Sequence, residues 1–241
     1  MKTFRLLLLI LSLLSSLTAS AETLLIAAGA GYKRPVSELC TAFEKKTGIH
    51  VEQIYGHMAG VVSQAQQSEQ VAIIFGDHAY LAKVERLAFA DFVPLGHGRL
   101  VVARPKGSEL SSPGELADKR YARIAIPDPK AAIFGIAATE YLQRSKLSPI
   151  VTDRLQVAST VPQVSAYLIS GEVDAGFINL TEALAIKDKI GGYVEIDPGL
   201  YSPIRIVGGI IRGFESQSTV KSLRQFLETP EAHAILTRYG I

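Results

Sequence analysis

Cysteine is nearly absent from this chain of 241 residues, and tryptophan is wholly absent. With Cys40 alone no intramolecular disulfide can form, so stability has to come from packing. Val36, Leu39, Cys40 and Phe43 recur at helical spacing, which predicts a thiol buried in a helix face rather than a reactive one. An excess of charge is missing too. Without Lys2 and Arg5 the 25 basic residues fall to 23, level with the 23 acidic ones, which argues against a nucleic-acid binder. Long hydrophobic runs are confined to residues 6–17, and a spanning helix needs about 20 apolar residues. That run follows Lys2 and Arg5 and precedes Ala19, Ser20 and Ala21. The order of charge, apolar stretch and small residues predicts a secretory signal over residues 1–21, cleaved after Ala21. The mature chain is then expected to begin at Glu22, free in the periplasm, with no membrane insertion and no cysteine near the cleavage point to carry a lipid.

Catalytic motifs are equally scarce. The chain has no GxSxG, no Walker loop and no HExxH. Gly29-Ala30-Gly31 begins like a dinucleotide fingerprint, but Arg34 stands where the third glycine belongs. A non-enzymatic protein without a cofactor is the expectation.

What is present is a regular alternation of short β-branched or leucine-rich runs with amphipathic stretches, the mark of βα units around parallel sheets. One series predicts strands near 24–28, 49–54 and 71–75 with helices near 35–47, 58–68 and 78–87. A second predicts strands near 123–126, 154–158 and 173–178 with helices near 131–144, 161–170 and 180–189. Extended segments at 98–105 and 203–211 separate the series, and two more helices close the chain. This reads as a two-lobed α/β fold, each lobe a mainly parallel sheet flanked by helices, joined by a two-strand hinge. Lobe one covers 22–103 and 205–241, and lobe two covers 104–204. The rival is one continuous doubly wound sheet. The Pro- and Gly-rich breaks at 104–114 and 198–209 favour two lobes.

In such units a ligand sits at the carboxyl ends of the strands, where loops feed helix starts. The junctions Ala28-Gly29-Ala30-Gly31-Tyr32, Gly56-His57-Met58-Ala59-Gly60, Pro127 to Gly135, Ser159-Thr160-Val161-Pro162 and Asn179-Leu180-Thr181-Glu182 all present helix starts. Their unpaired N–H groups and dipoles favour an anion without any cationic side chain.

The order of these segments resembles the periplasmic molybdate-binding proteins, a type II solute-binding family of ABC importers. The resemblance runs from Leu25-Ile26-Ala27-Ala28-Gly29-Ala30 through Phe43-Glu44-Lys45-Lys46-Thr47-Gly48, Leu100-Val101-Val102-Ala103, Ile126-Pro127-Asp128-Pro129 and Gly171-Glu172-Val173-Asp174-Ala175-Gly176 to the ending at Gly240. It implies a monomeric receptor that delivers a molybdate- or tungstate-like oxyanion to an ABC permease. It also implies hydroxyls from the first two loops, a tyrosine hydroxyl and backbone N–H groups of lobe two as ligands. At the hydroxyl positions stand Gly31, then His57, Met58 and Ala59, and finally Asn179. The backbone donors fall at Phe134 and Val161. The site is therefore expected at Ala30, Gly31, Tyr32, His57, Met58, Phe134, Val161 and Asn179. Replacement donors are sought among His57, the Asn179 amide, Tyr32, Lys33 and Arg34.

Two alternatives stay open. Imidazole and thioether together suit soft or borderline metals, so His57 and Met58, with His78, form an alternative set for a transition metal or a metal chelate. A ligand-free structural or sensory role is the other.

Overall fold

The computed structural model describes residues 22–241; the expected signal segment lies outside them. Two five-stranded sheets organise the chain. The first runs β2-β1-β3-β10-β4, built from β1 (Thr23–Gly29), β2 (His50–Gly56), β3 (Ile73–Asp77), β4 (Phe89–Gly98) and β10 (Ile204–Ile211). The second runs β7-β6-β8-β5-β9, built from β5 (Leu100–Arg104), β6 (Ile124–Pro127), β7 (Leu155–Ala158), β8 (Ala175–Asn179) and β9 (Gly192–Glu195). In the first sheet β10 is antiparallel to both neighbours and the other four strands share one direction. In the second, β5 plays the same part. The reversed strand of each sheet is the one by which the chain enters from the other. The two halves are thus one topology used twice, joined by adjacent crossings at Arg99 and at residues 201–203.

The boundary at 103/104 needs correction. Leu100–Arg104 pairs with β8 and β9 in the second sheet, so the change of sheet falls at Arg99. Leu100, Val101, Val102 and Ala103 are fully buried, as a central strand covered on both faces requires.

Helices return between the strands: α1 (Lys33–Thr47), α2 (Met58–Ser68), α3 (His78–Leu81), α4 (Ile133–Arg144), α5 (Ser148–Val151), α6 (Val161–Ser170) and α7 (Leu180–Ala185), then α8 (Ser218–Leu227) and α9 (Pro230–Arg238). In α1 the apolar stripe Val36, Leu39, Cys40 and Phe43 is buried, and burial pushes the Cys40 thiol up to about 12. The helix stops at Gly48, whose φ of 76° suits glycine and whose N–H closes on Glu44 O at 2.8 Å. Two expected helices are shorter than their periodicity suggests. The stretch 78–87 is helical only to Leu81 and then unwinds through i to i+3 bonds at Lys83 and Val84. The stretch 180–189 ends at Ala185. Strands β4 and β9 go beyond the strands expected. In β4 Asp91 and Pro94 interrupt the apolar pattern, which the fold accepts because β4 is an edge strand with register shifts against β10. No helix among the described residues is long and apolar enough to cross a membrane.

Candidate functional site

The strands β1, β2 and β6 end on loops that lead into helix starts, and β7 does the same before α6. These four starts meet between the lobes around a cavity of about 30 Å³. Seven residues expected at the site line it: Ala30, Gly31, Tyr32, His57, Met58, Phe134 and Val161. The wall is completed by Gly29, Gly56, Ala132, Ile133 and Thr160. No Lys, Arg, Asp or Glu is among them.

The caps differ in a way that matters. Tyr32 precedes α1 and Ala132 precedes α4 without any side-chain cap. The first two N–H groups of α4, at Ile133 and Phe134, therefore have neither a helical partner nor a capping side chain, whereas the first N–H of α1, at Lys33, donates to Ala30 O across the turn that precedes it. His57 caps α2 and Thr160 caps α6, accepting from Gly60 N at 3.0 Å and Gln163 N at 3.4 Å. The loop before α4 is drawn tight over Gly135. A Cβ there would lie 2.2 Å from Asp128 O and 2.3 Å from Pro127 O, so only glycine lets the loop fold onto the helix. Asp128 holds the same loop by accepting from the N–H groups of Lys130 (2.7 Å) and Ala131 (2.8 Å). Those backbone bonds keep its carboxyl below the ordinary aspartate range.

The His57 ring folds back over Gly60, where a Cβ would stand 3.0 Å from its Cε1. Because Nδ1 accepts the Gly60 N–H, a neutral ring carries its proton on Nε2 and acts there as a donor. A metal ligand needs a free lone pair, so His57 as placed suits an anion and not a metal. Met58 is buried among glycines: side chains at Gly29 or Gly76 would come within 3.1 Å of its sulfur. The thioether packs the core between β1 and β3. His78 does not line the cavity. Its Nδ1 faces the Arg205 guanidinium at 3.1 Å and its ring packs edge-on against Phe92. The set His57, Met58 and His78 is thus not assembled. Among the described residues no group of three or more His, Cys, Asp or Glu side chains is gathered for a metal.

Asn179 is the expected residue that falls outside the cavity wall. It is buried, its Oδ1 accepts from Glu182 N at 3.3 Å, and its Nδ2 donates to Gly31 O at 2.9 Å. The amide that was to face a ligand instead ties α7 of one lobe to the first loop of the other. Arg34 and Lys33 are likewise committed elsewhere. Arg34 forms a two-point ion pair with the buried carboxylate of Glu182 (3.1 and 3.3 Å), and Lys33 lies 5.6 Å from the centre of the Tyr55 ring. Tyr32 is fully buried, edge-on to Phe134 at 5.8 Å. Its hydroxyl sits 2.9 Å from where a Gly98 side chain would begin, and it has no hydrogen-bond partner among the described residues. Burial, then the nearby Asp77 and Tyr201, raise its pKa well above the ordinary phenol.

Residues outside the expected set therefore matter. Thr160 was visible as a capping hydroxyl, while Ile133 and the Arg34–Glu182 pair carried no local signal.

A family model described as bacterial extracellular solute-binding protein matches residues 24–241. The molybdate-binding protein ModA of Azotobacter vinelandii is 25% identical over 229 residues, covering 92% of this chain and 90% of its own length. ModA of Rhodobacter capsulatus is 26% identical over 231 residues, covering 93% and 90%. In three dimensions the chain is similar to the solved periplasmic molybdate-binding protein of Azotobacter vinelandii, with a TM-score of 0.80 at 23% identity, over 90% of this chain and 97% of the other.

Proposed function

The chain belongs to the bacterial extracellular solute-binding proteins, and we propose that it is the periplasmic receptor of an ABC-type importer, closing its two lobes on a small tetrahedral oxyanion of the molybdate and tungstate class. The observation that carries this reading is the cavity where four helix starts converge with no charged side chain on its wall. Backbone N–H groups and helix dipoles there favour negative charge. The space of about 30 Å³ is room for roughly two or three ordered waters on this measure, which excludes any large solute from the lobes as they stand. The first N–H groups of α4 and α6, at Phe134 and Val161, serve as donors whatever their side chains. His57 Nε2–H and the Thr160 hydroxyl take over from the hydroxyls that Gly31, Met58 and Ala59 do not supply.

Closure over the anion creates the surface that a permease reads, and opening releases the ligand to it. The names of the ModA relatives point to the same ligand class. A metal or chelate site is disfavoured because Nδ1 of His57 and of His78 each already accepts a hydrogen bond, which leaves the proton of the neutral ring on Nε2.

Binding stabilises the folded form by mass action, by about 2.7 kcal/mol at a hundredfold excess over Kd. For a chain of this size that raises the melting temperature by roughly 5–10 °C. A thermal-shift series with molybdate, tungstate, sulfate and phosphate, beside copper, nickel and zinc salts, is expected to show such a rise with at least one oxyanion. A rise with a metal salt alone, or with nothing, contradicts the reading.

A further inference from the structure

Two larger spaces flank the small cavity between the lobes. One, about 480 Å³, is bounded by Asp77, Tyr80, Ile133, Glu140 and Ile204 among others. The other, about 780 Å³, lies beside Ala30, Arg34, Glu38, Pro162 and Glu182. Tyr32 lines neither, and its hydroxyl is enclosed without a hydrogen-bond partner among the described residues.

The enclosure is built from both lobes and both crossings. A Cβ on Gly98, one residue before the crossing at Arg99, would stand 2.9 Å from the Tyr32 hydroxyl oxygen. The same point is 2.8 Å from Cγ2 of Ile204, which opens β10 after the other crossing, and 3.1 Å from Cζ of Phe134. The end of the Phe134 ring, carried on the first turn of α4 in lobe two, therefore closes over a hydroxyl that belongs to lobe one. The polar groups nearest by charge, Asp77 and Tyr201, are engaged with others. Asp77 accepts from Tyr80 N and Arg205 N at 2.9 Å each, and the Tyr201 hydroxyl accepts from Leu100 N at 3.1 Å.

This enclosure lasts only while the lobes are together. When lobe two turns away it carries Phe134 with it, and water from the space bounded by Ile133 and Ile204 reaches the hydroxyl. The cost of an unpaired buried donor thus falls on the closed arrangement, and opening relieves it. The Arg34–Glu182 and Asn179–Gly31 contacts act the other way.

We propose that the Tyr32 hydroxyl is an opening device: held at the hinge without a partner, it keeps the open form populated so that ligand enters and leaves. This rests on the reading of a two-lobed oxyanion receptor, but it concerns rate and not affinity. The closed arrangement carries the same cost with and without ligand, so removing the hydroxyl slows entry and release alike and leaves their ratio unchanged.

Stopped-flow kinetics of the mature chain with molybdate, tungstate, sulfate and phosphate in turn, beside amide hydrogen exchange of the ligand-free chain, test it. Ala59 N donates across the lobes to Ala131 O, so its exchange reports opening. In Tyr32→Phe, association and dissociation of the oxyanion are each expected to slow about tenfold, as removal of an unpaired buried donor implies, with Kd nearly unchanged. Exchange at Ala59 is expected to slow by a similar factor. Tyr80→Phe removes a hydroxyl on the wall of the larger space and is expected to leave rates and exchange at native values. Weaker binding in Tyr32→Phe shows the hydroxyl donating to the ligand and overturns the proposal, as do native rates with native exchange at Ala59. If the native chain binds none of the four anions, the oxyanion reading fails, and exchange at Ala59 alone decides this one: slower supports it, unchanged overturns it.

Discussion

Tyr32 carries the one buried side-chain polar atom without a hydrogen-bond partner among the described residues, and it does so on the wall of the candidate site. An unpaired buried donor costs about 1–3 kcal/mol. Tyr32→Phe removes that cost while keeping the ring against Phe134. The ligand-free protein is expected to gain roughly 1–2 kcal/mol in urea unfolding, and a loss of stability shows that the hydroxyl has a partner in solution. At this scale the sequence was informative about position and less so about commitment. Seven of the expected residues do line one cavity, because βα junctions put helix starts at one edge of a sheet. What each side chain does was decided by neighbours distant in sequence. The Asn179 amide is taken by Gly31 O, 148 positions away, and the Met58 sulfur by the space that Gly29 and Gly76 leave free.

Among elements, the helix starts were legible because their signals are local: Thr160 before Val161-Pro162, His57 before α2, Gly48 after α1. Strand β4 was not, since Asp91 and Pro94 break its pattern and only its edge position makes them acceptable. The loop before α4 depends on Asp128, whose carboxyl is held low by the N–H groups of Lys130 and Ala131. A carboxyl lowered on folding adds stability that is complete above its unfolded value, about 3.9. That stability is lost as pH falls from there through the lower folded value. Asp128→Asn is therefore expected to flatten the acid side of the stability curve below about pH 4 and to leave its neutral side nearly parallel to the native one. An unchanged acid limb, followed by circular dichroism in urea, contradicts the role given to these bonds.

Across the whole molecule, the lobes are joined by more than the hinge. Arg34 and Glu182 pair between α1 and α7, Asn179 reaches Gly31, and Ala59 N donates to Ala131 O at 3.4 Å. Glu182 is only 4% exposed, so removing its partner leaves a buried charge uncompensated. Arg34 is about half exposed, which moderates the effect. Arg34→Ala is expected to weaken closure by about 1–2 kcal/mol, a factor of roughly 5–30 in the closed-to-open ratio. Small-angle scattering of the ligand-free variant then shows a larger radius of gyration than the native chain, and identical profiles show that the pair does not hold the lobes. Two lobes and their repeated topology were readable from the alternation of runs, whereas contacts between lobes join residues too far apart in sequence for any pattern to reveal.

The central claim is that backbone N–H groups at helix starts hold an oxyanion. Val161→Pro addresses it directly, because proline at the first position of α6 removes one such N–H while the helix tolerates the ring. Thr160 before it is already extended, at φ −144° and ψ 160°, as a residue preceding proline prefers. In an equilibrium titration with the oxyanion that gives the native chain its largest thermal shift, the account predicts one site per chain. It predicts an affinity at least tenfold lower in Val161→Pro, as loss of a hydrogen bond to a charged group implies, with the melting temperature of the free variant nearly unchanged. Native affinity in that variant, or no oxyanion bound by the native chain, would contradict it.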